Sequence, residues 1–250
     1  MKFIRRKIMR KKPQPIIDYD DLEKRIGVKF TNRDLLKTAL THRSYINENR
    51  EQNIENNERL EFLGDAVLEL IISDHIYKKY PEKHEGELTS IRSALVRTES
   101  IAEESKKMGI GQYLLLSKGE EESGGKDKEY IIADLYEAVL GAIYLDKDYE
   151  TAKEYVTRTI LKKVDKVVEE ELFIDPKTKI QELSQAKYKV TPTYTILKEE
   201  GPDHDKHFTI GLFLENKEIA QGVGTSKQKA EEDAARKAIL IMKKDKINLK

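Results

Sequence analysis

The sequence predicts a multidomain chain: an all-α N-terminal domain followed by a small α+β domain of order α-β-β-β-α. Three observations carry this. From Tyr19 to about Val168, apolar residues recur at spacings of three and four, as in Leu60, Leu63, Val67, Leu70 and Ile71. No alternating strand pattern occurs in that stretch. After Asp175-Pro176, three β-like runs lie between two helical ones. The expected division is a basic arm over 1–18, a helical domain over 19–168, a linker over 169–174 and a C-terminal module over 175–244.

Each element has a local cause. Thr31, followed three residues later by Asp34, reads as a helix cap with an acid in the first turn. Asn56 and Asn57 open a long helix that ends near Tyr80, because Pro81 cannot continue it. Gly109 and Gly111 close another. Residues 117–129 (SKGEEESGGKDKE) are Gly-rich and polar, which predicts an exposed loop. Helix returns at Tyr130. In the module, Lys177–Ala186 and Thr225–Met242 read as helices, and Thr193–Glu199, Lys206–Leu214 and Lys217–Val223 as strands. Glu200-Gly201-Pro202-Asp203 joins the first two strands and Glu215-Asn216 the second pair.

Composition narrows the chemistry. The 250 residues include no Cys and no Trp, with 46 Lys+Arg against 46 Asp+Glu. Without Cys there is no disulfide, thiolate zinc site, iron–sulfur cluster or thiol nucleophile. The longest apolar stretches stop well short of the roughly 20 residues of a membrane span. Residues 1–12 hold seven Lys/Arg and no acid, so the remainder is net acidic by seven. That arm lacks the apolar core of a signal peptide. It reads as a solvated basic tail able to touch a polyanion. The expected location is the cytoplasm, with no membrane partner.

Two helical segments carry carboxylates among large apolar residues. In NNERLEFLGDAVLELI (56–71), Glu58, Glu61 and Asp65 share one helix face. In YIIADLYEAVLGAIYLD, Asp134 and Glu137 share another, and Gly141 and Ala142 allow a second helix to approach closely. If the segments face each other, Glu61, Asp65, Asp134 and Glu137 form an all-oxygen site for hard divalent cations. Spacing alone leaves a second reading open, in which each acid pairs with a cation such as Arg59 or Arg92. His42, His75 and His84 fall on different elements with no shared motif. Histidine-based transesterification is therefore disfavoured against metal-aided hydrolysis.

In the module, Thr178, Gln181 and Gln185 lie along one helix side. The loop Glu200–Lys206 presents Pro202 and His204, with Gly201 supplying the turn. Ser226, Lys227 and Lys229 stand at a helix start that offers free N–H groups. Helix, loop and basic helix start on one face suit two minor grooves and the phosphates between them, about 16 base pairs of A-form RNA.

NNERLEFLGDAVLEL (56–70) closely resembles the signature of ribonuclease III, and ADLYEAVLGAIYLD (133–146) that family's second active-site helix. THRSY (41–45), KYPEKHEGELTSIRSALV (79–96) and LSKGEEESGGK (116–126) also resemble the bacterial form. DPKTKIQE (175–182), GPDHDKHF (201–208) and GVGTSKQKAEEDAA (222–235) are similar to the double-stranded-RNA-binding domain that follows it. The resemblance covers roughly residues 20–243. It implies a homodimeric, Mg2+-dependent endonuclease that hydrolyses both strands of duplex RNA, with Mn2+ as a substitute metal and no small-molecule organic cofactor. Products with 5′-phosphates and short 3′ overhangs follow, as does processing of ribosomal RNA precursors and other structured transcripts.

By position, the resemblance makes Glu61, Asp65, Asp134 and Glu137 the metal carboxylates, with Asp65 and Glu137 most directly catalytic. Glu58 and Glu85 match acidic positions that assist RNA contact. Thr178, Gln181, Glu182, His204, Ser226, Lys227 and Lys229 match RNA-contacting positions. Gln228 stands where the family often has a basic residue. The rival reading is a non-catalytic duplex-RNA-binding regulator or ribosome-assembly factor on a decayed nuclease fold. Apolar residues around Phe62, Leu63 and Ala66 are the expected dimer surface.

Overall fold

The structure is a computed structural model, described for residues 17–49, 54–202 and 206–244. The arm residues 1–16 and His204 lie outside these. The chain divides into two compact units, with the boundary between Val167 and Val168.

The first unit is helical. It runs through α1 (Tyr19–Ile26), α2 (Arg33–Ala39), α3 (Arg43–Glu48), α4 (Glu58–Lys79), α5 (Glu85–Val96) and α6 (Thr98–Met108). It continues through α7 (Lys118–Glu122), α8 (Glu129–Asp146), α9 (Tyr149–Thr159) and α10 (Val164–Glu169). The α2 cap is Asn32 rather than Thr31: the Asn32 side chain accepts from Asp34 N–H at 3.0 Å. Thr31 and Asn32 instead donate their backbone N–H groups to the Asp146 carboxylate at 2.8 and 2.7 Å. The polar stretch 117–129 is not wholly irregular. Ser117 caps α7 by accepting from Glu120 N–H at 3.1 Å, and Gly125–Asp127 forms a 3-10 turn. A short capped turn of this kind leaves no apolar periodicity to read.

The core centres on α8. Ile131, Leu135, Val139, Leu140 and Ile143 are all buried, as are the stacked rings of Tyr136 and Tyr155. A helix apolar on all sides must be enclosed by others, and α4, α6, α2 and α9 surround it. The entry to α4 is fixed by backbone pairing. Asn57 N–H donates to Thr41 O at 2.9 Å, and Thr41 forms a parallel bridge with Leu115. His42 accepts from Ser44 N–H through Nδ1, and Ser44 Oγ accepts from Ser117 N–H at 3.0 Å. His42 therefore serves as a corner cap.

The second unit orders as α11 (Pro176–Tyr188), β1 (Thr193–Glu200), β2 (His207–Leu214), β3 (Lys217–Gly224) and α12 (Lys227–Lys244). The strands form an antiparallel sheet in the order β1-β2-β3. Asp175 caps α11, with Pro176 at its first turn. Ile180, Leu212, Leu214, Ala234, Ala238 and Met242 close the core between sheet and helices. Small residues let α12 rest directly on β3. A Cβ at Gly222 would overlap the Ala230 carbonyl oxygen and lie 2.8 Å from Ala234 Cα. One at Gly224 would lie 2.6 Å from Ala230 N. Among the described residues no helix is long and apolar enough to cross a membrane.

Candidate metal centre and nucleic-acid interface

The carboxylates meet where α4 crosses α8. The approach is set by two glycines. A Cβ on Gly64 would overlap the carbonyl oxygen of Glu137 and lie 2.6 Å from its carbonyl carbon. A Cβ on Gly141 would overlap Leu60 O and lie 3.2 Å from Gly64 N. Backbone therefore touches backbone at the turns that carry the acids. The sequence points to Gly141 but not to its partner Gly64, whose only sequence signal is a glycine inside an apolar helical pattern.

At this crossing Glu61, Asp134 and Glu137 place carboxylate oxygens within 4.8 Å of one another. Asp65 does not join that group. It sits one turn beyond Glu61, is exposed, and has a side chain one methylene shorter than a glutamate. Its charge still reaches the cluster: it raises the pKa of both Glu137 and Glu61.

Electrostatics mark the seam as short of positive charge. Burial first, then Asp65, Asp134 and Glu61, push the Glu137 carboxyl up to about 8. Burial, then Asp134, Glu58 and Asp65, push Glu61 up to about 7. Burial raises Asp134, against a smaller opposite effect of its own backbone amide. Burial and Glu69 raise Asp65. No ion pair neutralises any of the four among the described residues. The cations proposed as alternatives are engaged elsewhere: Arg59 lies 3.9 Å from Glu55, and Arg92 donates to Ser73 Oγ at 3.1 Å. Like charges held together in a half-buried seam are unfavourable unless protonated or bridged by a cation. An all-oxygen donor set without an internal counter-ion fits a hard divalent ion. No histidine belongs to the cluster.

Glu58 opens α4 beside the seam, exposed, 3.7 Å from Arg43, with Asn56 Nδ2 donating to it at 3.0 Å. Glu85 opens α5, exposed, and accepts from Thr89 Oγ1 at 3.4 Å. The structure brings neither into the three-carboxylate group.

In the second unit, Thr178, Gln181, Glu182 and Gln185 are exposed along α11. Ser226 Oγ accepts from Lys229 N–H at 3.2 Å, which caps the start of α12. Lys227 and Lys229 project from that first turn, both exposed. The α11 and α12 starts are neighbours, joined by the ion pair of Lys177 with Glu231. Gln228 donates to Glu232 Oε1 at 3.0 Å and supplies no charge.

Residues 32–164 match the family model described as ribonuclease-III-like, and residues 176–242 match the double-stranded RNA binding motif. The "Ribonuclease 3" of Streptococcus pneumoniae (strain Taiwan19F-14) is 46% identical over 218 residues, covering 87% of this chain and 94% of that protein. The chain belongs to the ribonuclease III family. It is a double-strand-specific endoribonuclease of that family. The "Ribonuclease 3" of Lactococcus lactis subsp. cremoris (strain SK11) is likewise 46% identical, over 88% of this chain and 95% of its own. Among solved structures, the nuclease domain of ribonuclease III from Campylobacter jejuni is 39% identical with a TM-score of 0.54. The match covers 58% of this chain and 97% of that one, and the structure is described by flexibility in a region involved in dimer formation. The helical ribonuclease III domain followed by an α-β-β-β-α module is thus the fold of this chain.

Proposed function

We propose that this ribonuclease III hydrolyses both strands of duplex RNA at the α4–α8 crossing, with Mg2+, or Mn2+ in its place, held by Glu61, Asp65, Asp134 and Glu137. The observation that carries this is the convergence of three carboxylates from two packed helices with no cation among the described residues to neutralise them. When bound, divalent ions supply charge neutralisation at the scissile phosphate and an activated water. Glu61, Asp65, Asp134 and Glu137 would hold such ions at the helix pair. Glu137, the most deeply placed of the four, and Asp65, at the solvent edge, are the catalytic pair. Glu58, at the start of α4, and Glu85, at the start of α5, help position the RNA strand.

The module supplies affinity. The α11 face with Thr178, Gln181 and Glu182 meets a minor groove, where hydroxyl and amide groups suit 2′-hydroxyls. Ser226, Lys227, Lys229 and the free N–H groups of α12 meet phosphate, and His204 makes a further RNA contact. Products carry 5′-phosphates and short 3′ overhangs, and substrates include ribosomal RNA precursors and other structured transcripts. The enzyme acts in the cytoplasm as a homodimer. Phe62, 80% exposed, exposed Ala66 and half-buried Leu63, with exposed Leu70 beside them, form the stripe on α4 that a second copy covers. A non-catalytic duplex-RNA binder would have no need for four unneutralised acids on one seam.

The test is digestion of a long RNA duplex with and without Mg2+, followed by end mapping. Glu137→Gln should keep duplex binding and remove most cleavage. Wild-type cutting by that variant in Mg2+ refutes its role.

A further inference from the structure

One carboxylate in the binding module stands where phosphate is expected. Glu199 lies directly opposite Phe208 in the β1–β2 register. The Lys227 ammonium sits 5.7 Å from the centre of the Phe208 ring and 3.6 Å from Glu199 Oε1. The other oxygen, Oε2, faces Lys206 Nζ at 3.7 Å. Each oxygen of a single anion thus faces one lysine, as the two non-bridging oxygens of a phosphodiester would. Lys227 is the first residue of α12, where unpaired backbone N–H groups add positive potential.

We infer that Glu199 is a built-in competitor for RNA phosphate at the start of α12, and so sets the affinity and release rate of the module. The inference rests on Lys227 being a phosphate contact. A phosphate reaching Lys227 must first part it from Glu199, and the carboxylate left behind repels the incoming charge. The pair is solvent-exposed on both sides, with Lys227 57% and Glu199 38% accessible. Water therefore screens it, and its release hinders binding by about threefold to fivefold rather than by orders of magnitude. Glu199 also lowers the net positive charge offered to the duplex, which reduces the counterions displaced from RNA on binding. A weaker grip suits an enzyme that must release cut duplexes.

The experiment measures binding of an uncleaved RNA duplex to the full-length chain in metal-free buffer, across a salt titration. Glu199→Gln should bind about threefold to fivefold more tightly at low salt and dissociate more slowly. Its plot of log affinity against log salt should steepen by up to about one unit. In a chain already carrying Lys206→Gln and Lys227→Gln, the same change should bring a clearly smaller gain, because only the direct repulsion of phosphate is left to relieve. Unchanged or weaker binding by Glu199→Gln, with an unchanged salt slope, overturns the inference. So does a gain that survives undiminished when both lysines are lost. Lys227→Gln alone separates the two layers. If it leaves affinity intact, the phosphate contact itself is wrong. If it weakens binding while Glu199→Gln changes nothing, only the competitor role falls.

Discussion

Gly64→Ala puts the helix crossing to a quantitative test. In an ordinary helix interior this change stabilises by about 0.8–1 kcal/mol, because alanine restricts the unfolded chain. Here the added methyl would overlap the Glu137 carbonyl oxygen and stand 2.6 Å from its carbonyl carbon. Carbon atoms in contact sit about 3.5–4.0 Å apart, so α4 and α8 must separate by about 1 Å. The obstacle is backbone, which cannot rotate aside as a side chain would. Overpacking of this kind costs about 1–3 kcal/mol, which outweighs the gain in helix propensity. The same separation pulls Glu61 away from Glu137, whose oxygens belong to a group within 4.8 Å. A catalytic constellation tolerates about 0.5 Å, and a 1 Å displacement costs about 100-fold in rate. Urea unfolding should therefore show a loss of about 1–2 kcal/mol. Single-turnover cleavage in Mg2+ should fall about 100-fold. Gly86→Ala is the control, because a Cβ there meets nothing within 4 Å. It should leave cleavage unchanged. If Gly64→Ala is at least as stable as wild type and cuts at the wild-type rate, the crossing does not set the site.

Glu104, 1% exposed, is held by Lys107, Lys162 and Lys163 at 2.6–2.9 Å. Burial is the largest influence on its pKa and acts upward, but the three lysines together outweigh it and hold it below the usual range. Glu104→Ala should destabilise the nuclease unit by about 2 kcal/mol in urea melts, less than a fully buried pair because the lysines reach water. Glu61 and Glu137 give the metal-free protein the opposite pH dependence. Their folded values of about 7 and about 8 exceed those of an unfolded glutamate, so the folded state holds more protons between roughly pH 4.5 and 8. Stability in EDTA should fall as pH rises through that window, and Glu137→Gln should flatten the fall. Added Mg2+ should restore stability most at the alkaline end; urea midpoints at pH 5 and 8 check both. Phe62→Asp should convert a sedimenting dimer to monomer at micromolar concentration, and an unchanged dimer would locate the interface elsewhere.

Much of this was legible in the residues. Glu61 and Asp65, and Asp134 and Glu137, announce shared faces because helical periodicity fixes angle from spacing alone. Pro81 and Pro176 mark boundaries because proline removes an N–H donor. The module's strands are readable from β-branched and aromatic runs divided by turn residues. What spacing cannot supply is contact between elements. The Gly64–Gly141 meeting needs both helices placed, and the standing apart of Asp65 depends on side-chain length and the angle of crossing. The α2 cap falls at Asn32 rather than Thr31, where the Asp146 carboxylate, over a hundred residues away, engages the Thr31 and Asn32 backbone amides. The pairing of Glu199 with Lys206 and Lys227 left no trace in sequence, since strand register and helix start converge only after folding.

The seam of alanines and glycines under α12 has a further effect. With no long side chains between helix and strand, the height of the α12 ammonium groups above the sheet is fixed by main-chain thickness, as in a calliper with locked jaws. Such a gauge tells one double helix from another by width rather than by letters. A B-form duplex of the same base order, which presents its phosphates at another separation, should therefore bind the full-length chain more weakly, as competition against the RNA duplex would show.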